Sequence, residues 1–131
     1  MTSNTTDLLD DILERQKLKF GETTKEELWR KLRGEIIEYQ EALRNNFIYD
    51  NNQTRLEIML EQADIIILAN RLYQEFDDEV AWLIIDKMYN FETAKYVKMK
   101  WDIVEKRQYI RDSKGNWQHK GESNGIKRIS Y

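Results

Sequence analysis

Two stretches decide the reading: Arg33-Gly34-Glu35-Ile36-Ile37-Glu38-Tyr39 and Leu60-Glu61-Gln62-Ala63-Asp64-Ile65. Each carries two carboxylates three residues apart inside an apolar pattern of helical period. On a helix, residues three apart share a face. Each stretch therefore forms a two-tooth acidic comb. If the two helices pack face to face, four acidic side chains converge. Such a cluster repels itself unless a cation sits within it, and hard oxygen ligands suit Mg2+ or Mn2+.

The surrounding chain favours long helices. Between Gly21 and Gly115 there is one glycine, Gly34, and the whole chain has no proline. Helix breakers are thus nearly absent from the interior. A first helix is expected over about 8–20, capped by Thr6 or Asp7 and stopped by Gly21. Thr24 with Glu27, or Thr23 with Glu26, has capping-box spacing and opens a second helix to about Arg44. Asn45-Asn46 is expected to end it, with a polar loop to Asn52. A third helix runs from Asn52 or Thr54 to about Phe76. Between Ile58 and Leu72 it is apolar on nearly every side, so it should be the most buried. Asp77-Asp78 caps a fourth helix that reaches about Glu105, or two helices with a break near Glu92-Thr93. Gln108 to His119 places short aromatic runs around a glycine-bearing turn, which predicts a β-hairpin.

The expected architecture is all-α. It is a four- to five-helix bundle with a small C-terminal hairpin (108–119) and a flexible tail (120–131). One domain spans 1–131, with a helical core over about 7–105. Charged residues at 34% and hydrophobic residues at 40% fit a globular protein on the polar side of the range. The formal net charge of −3 argues against a nucleic-acid surface. Absence of cysteine excludes disulfides and thiolate metal sites. No signal peptide is read at the N-terminus, and no run is long enough to span a membrane. A cytoplasmic location is the default expectation.

A lone Glu35-x-x-Glu38 usually marks a solvated helix face. Glu61-x-x-Asp64 is more telling, because Met59, Leu60, Ala63, Ile65, Ile66 and Ile67 surround it. A buried carboxylate is costly unless paired or metal-bound. A narrow wet seam through Glu57, Glu61 and Asp64 is the plainer alternative.

The two pairs, separated by twenty-two residues, resemble the motifs of the all-alpha nucleoside triphosphate pyrophosphohydrolases. This is the MazG-like superfamily, with dimeric dUTPases and dCTP pyrophosphatases among its relatives. The resemblance covers about 8–100. It implies that Glu35, Glu38, Glu61 and Asp64 hold Mg2+ (Mn2+ being possible), with Glu38 accepting the proton of the attacking water. It further implies hydrolysis of a nucleoside triphosphate between the alpha and beta phosphates, and a homodimer or homotetramer. Many relatives carry another glutamate where this chain has Gly34; Glu41 is the nearest replacement.

The same resemblance points to Lys87 and Asn90 for phosphate or sugar, and to Gln16, Phe20 and Trp29 for the base. Arg71 and Lys95 are weaker candidates. The bland reading of each is a surface or core residue, and Phe20 and Trp29 in particular suit a core. A di-iron centre would need Glu-x-x-His pairs, and the single histidine, His119, lies outside the helices. The remaining alternative is a non-catalytic helical assembly or nucleotide-binding regulator, with Arg30, Lys31 and Arg33 as ion-pair partners of the acids.

Overall fold

A computed structural model describes residues 3–111 and 117–119. Five helices are present: α1 (Ser3–Phe20), α2 (Lys25–Tyr49), α3 (Asn52–Phe76), α4 (Glu79–Met88) and α5 (Phe91–Lys106). Two short strands follow, β1 (Tyr109–Arg111) and β2 (Trp117–His119), paired antiparallel with Tyr109 opposite His119. The all-α expectation holds. The hairpin turn at 112–116 and the expected tail over 120–131 lie outside the described residues.

The centre is α3. Its residues 65–72 are buried without interruption. Two apolar clusters share it. Leu9, Ile12, Ala63, Ile66, Ile67, Val97 and Trp101 join α1, α3 and α5. Leu28, Leu32, Ile65, Leu68, Ala69, Leu72 and Ala81 join α2, α3 and α4. Adjacent isoleucines at 65 and 66 therefore point into different clusters, which explains the nearly all-round apolar sequence of this helix. Its polar interior residues are consumed locally. Asn70 Nδ2 donates to the Leu9 carbonyl at 3.2 Å. Arg71 binds Glu75 and donates to the Gly21 carbonyl at 2.5 Å. Arg71 thus pins the α1–α2 turn.

Helix ends follow local chemistry. Gly21, at φ +73°, closes α1 in the left-handed region that glycine enters freely. Thr24 and Glu27 form the expected capping box at the start of α2. The expected end of α2 is displaced. Asn45 and Asn46 stay helical, and the helix continues to Tyr49. Thr54 Oγ1 donates to Asn46 Oδ1 at 2.8 Å, so a cross-helix contact with α3 overrides the turn preference of asparagine. Only Asp50 and Asn51 then connect α2 to α3, so the two 25-residue helices fold back on each other.

Between α4 and α5 the break lies at Tyr89-Asn90, one turn earlier than expected. Asn90 and Thr93 form a capping box there: Thr93 N donates to Asn90 Oδ1, and Asn90 N to Thr93 Oγ1, both at 2.9 Å. Asp77 and Asp78 divide their labour. Asp77 ends α3 and Asp78 caps α4. Among the described residues, no helix is long and apolar enough to cross a membrane.

Asp77 adopts φ +55°, a conformation in which a side chain costs about 1 kcal/mol relative to glycine. Asp77→Gly is therefore expected to stabilise the chain by about 1 kcal/mol. The readout is a higher urea midpoint with an unchanged slope.

Candidate metal centre

The fold-back of α2 on α3 sets one acidic comb against the other. Carboxylate oxygens of Glu35, Glu38 and Glu61 all lie within 4.8 Å of one another. Glu35 is buried, and Glu38 and Glu61 are half-buried. Three of the four expected ligands thus converge. Asp64, one turn further along α3, instead receives the Lys100 ammonium at 3.0 Å. Its charge still reaches the cluster, since it raises the pKa of both Glu38 and Glu61.

The electrostatics are those of crowded acids. Burial first, then the charge of Glu61, pushes the Glu38 carboxyl up to about 8. Burial and the Asp64 charge likewise push Glu61 up. Crowding of this kind favours the protonated form of Glu38, because burial and the charge of Glu61 both oppose its ionisation. Two lysines offset part of the remaining charge. Lys31 precedes Glu35 by one turn. Burial pulls its pKa down, against the charges of Glu35, Asp64 and Glu38. Lys100 is itself buried, and burial works against its charge, yet Asp64 and Glu61 raise it overall.

The cluster fits a hard divalent cation. Oxygens around Mg2+, each at about 2.1 Å from the ion, stand roughly 3–4 Å apart. Rotation about the glutamate side chains closes the difference from the observed spacing. Glu61 Oε1 is buried with no hydrogen-bond partner. Such an atom is costly in a protein interior unless something else meets it. Glu35, Glu38 and Glu61 would hold the ion, and Asp64 can join through its carboxylate.

The expected ligand-contacting residues are scattered. Lys87 is exposed at the end of α4. Asn90 is exposed too, with its amide oxygen committed to the α5 cap. Trp29 donates its indole N–H to Asp78 Oδ2 at 2.7 Å, where Lys25 also approaches at 3.6 Å. Trp29 thereby ties α2 to the start of α4. Phe20 packs edge-on against Tyr109, with ring centroids 5.1 Å apart. Lys95 is exposed over the Tyr96 ring. Glu41 is exposed. Gln16 is buried in α1, and its Oε1 has no hydrogen-bond partner.

Lys100, Arg107 and Tyr109 were not among the expected residues. Lys100 was legible: Thr93, Val97, Lys100 and Trp101 form one helical stripe, and all four are buried. A lysine on such a stripe needs an acidic partner. Arg107 and Tyr109 lie beyond α5 and gave no periodic signal.

A pH test follows from Glu38. Its folded-state pKa lies above the ordinary carboxylate value, so the folded chain binds the proton more tightly than the unfolded chain does. This contribution to stability is complete below about pH 4.5 and is lost as pH rises through about 8. In the presence of EDTA, Glu38→Gln should flatten the fall in melting temperature between these values and melt higher than wild type at pH 8. Parallel pH profiles for the two proteins would contradict the crowded-acid picture.

No protein-family model matches this chain, and neither a curated protein nor a solved structure matches it.

Proposed function

We propose that the chain is a Mg2+-dependent nucleoside triphosphate pyrophosphohydrolase of the MazG-like kind, releasing pyrophosphate and a nucleoside monophosphate. The supporting observation is the convergence of Glu35, Glu38 and Glu61 between α2 and α3, with Asp64 adjacent. A bound divalent cation would supply Lewis-acid polarisation of phosphate and a more acidic water. Glu35 and Glu61 hold that cation from opposite helices. Glu38, within 4.8 Å of both, accepts the proton of the attacking water. That role needs an ionised Glu38, which a divalent cation beside it would favour. Asp64 completes the acidic set and fixes Lys100 beside it.

Assembly belongs to the same proposal. Leu43 and Phe47, one turn apart near the end of α2, are exposed, as are Ile48 and Tyr49. On α4, Val80, Trp82 and Leu83 are exposed. Clusters of this kind mark association surfaces more often than single exposed side chains do. A homodimer or homotetramer is the expected state.

A second reading has its own support in the Lys100–Asp64 ion pair. There the acids would serve structure alone, in a non-catalytic helical assembly.

The deciding experiment is pyrophosphate detection across a panel of ribo- and deoxyribonucleoside triphosphates, with Mg2+ and with Mn2+. Turnover is expected for at least one member. Glu38→Gln and Asp64→Asn should each reduce kcat by about 100-fold or more. No release from any nucleotide, with no rise in melting temperature on adding Mg2+, would favour the non-catalytic reading. Light scattering should give a multiple of the single-chain mass, and Phe47→Glu should shift it toward one chain.

A further inference from the structure

Lys100 sits where a lysine is costly. It shares a buried stripe of α5 with Thr93, Val97 and Trp101. Val97 and Trp101 belong to the apolar cluster that takes in Ala63, Ile66 and Ile67 of α3. Lys100 thus stands among core residues and is 8% exposed. An ammonium taken out of water needs a partner close by. Lys100 has one in Asp64, whose Oδ2 lies 3.0 Å from its Nζ. Asp64 is shielded too, with 15% of its side chain exposed. Water and salt therefore screen this pair little.

The pair joins α5 to the acidic face of α3. Asp64 follows Glu61 by three residues, so helix spacing puts both on one side of α3. Yet the oxygens that come within 4.8 Å of one another belong to Glu35, Glu38 and Glu61. The fourth acid of the two combs is engaged by an ammonium instead. A divalent ion that is to take Asp64 as well meets one of two costs. If the pair breaks, a charge is left buried without its partner, which is a severe loss. If Asp64 bridges the two, the ammonium and the ion stand within about 6 Å of each other and repel. Neither cost attaches to the three glutamates.

We propose that Lys100 is a resident cation that withholds Asp64 from a free divalent ion. The ion alone is then held by Glu35, Glu38 and Glu61, more loosely than four carboxylates would hold it. This rests on the metal reading above and adds a control to it. A lysine of α5, outside both combs, sets how tightly the centre takes metal.

The test uses the full chain. In wild type, the 13C resonances of the side-chain carboxylates are followed as Mg2+ is added. Those of Glu35, Glu38 and Glu61 should shift, while that of Asp64 stays near its metal-free position. A shift of Asp64 equal to that of the glutamates overturns the proposal and leaves the metal reading intact. Calorimetry with Mn2+ then compares variants. Lys100→Met keeps an unbranched stem and removes the charge. It should bind Mn2+ about tenfold more tightly or better, the scale on which partners of metal ligands shift affinity. Adding Asp64→Asn to Lys100→Met should abolish that gain. Unchanged or weaker Mn2+ binding by Lys100→Met overturns the proposal, and so does a gain that survives Asp64→Asn. If Lys100→Met loses its helical circular dichroism without metal, Lys100→Gln takes its place with the same expected direction. An unchanged affinity there overturns the proposal equally. Failure of wild type to bind either ion overturns the metal reading, and this inference with it.

Discussion

Repulsion among carboxylates is the constraint on which this molecule turns. Three glutamate side chains meet between α2 and α3, and a fourth acid lies one turn away. A fold gains nothing in stability from such a meeting. Burial and Coulomb's law both oppose it, and together they push Glu38 up to about 8. The chain offsets part of this with Lys31 on the same helix face and Lys100 from α5. Each partly compensates. The arrangement persists because the backbone leaves the acids no alternative, the two helices being joined by two residues and bound by a shared apolar cluster. Local conflict inside a well-determined scaffold is where function is commonly found.

The scaffold is rigid where the acids sit. All four project from the middle of helices and not from loops. Their mutual placement is set by helix pitch and by the packing of Leu32, Ile65 and Leu68, which changes little with solvent or ligand. What can adapt is glutamate rotamer and proton count. A centre built on two packed helices places its carboxylates by helix pitch, which suits a demanding coordination geometry.

Much of this was legible in the sequence. The spacing of Glu35, Glu38, Glu61 and Asp64 placed the combs, and the near absence of glycine and proline foretold long helices. The all-round apolar character of α3 foretold its central place. What the structure adds or changes has physical causes. Asn45-Asn46 looks like a helix end, but Thr54 supplies a partner that no local rule contains. Asn90, expected near the ligand by resemblance, also caps α5, a role its spacing to Thr93 allows. Trp29 found Asp78, forty-nine positions away. Pairings across such distances cannot be read from one sequence. Lys100 could have been found by asking what accompanies a charge on the stripe of Val97 and Trp101.

One consequence of α3 concerns how the molecule comes apart. Both apolar clusters run through this single helix, so neither is complete without it. Neither half of the chain holds a complete core by itself, since each cluster draws on α3. Release of α1 or α4 strips one flank and leaves the rest in register. Release of α3 dissolves everything at once. Amide protons along 65–72 should therefore exchange only through global unfolding, the slowest class in the molecule, and the acidic residues just before them inherit much of that permanence.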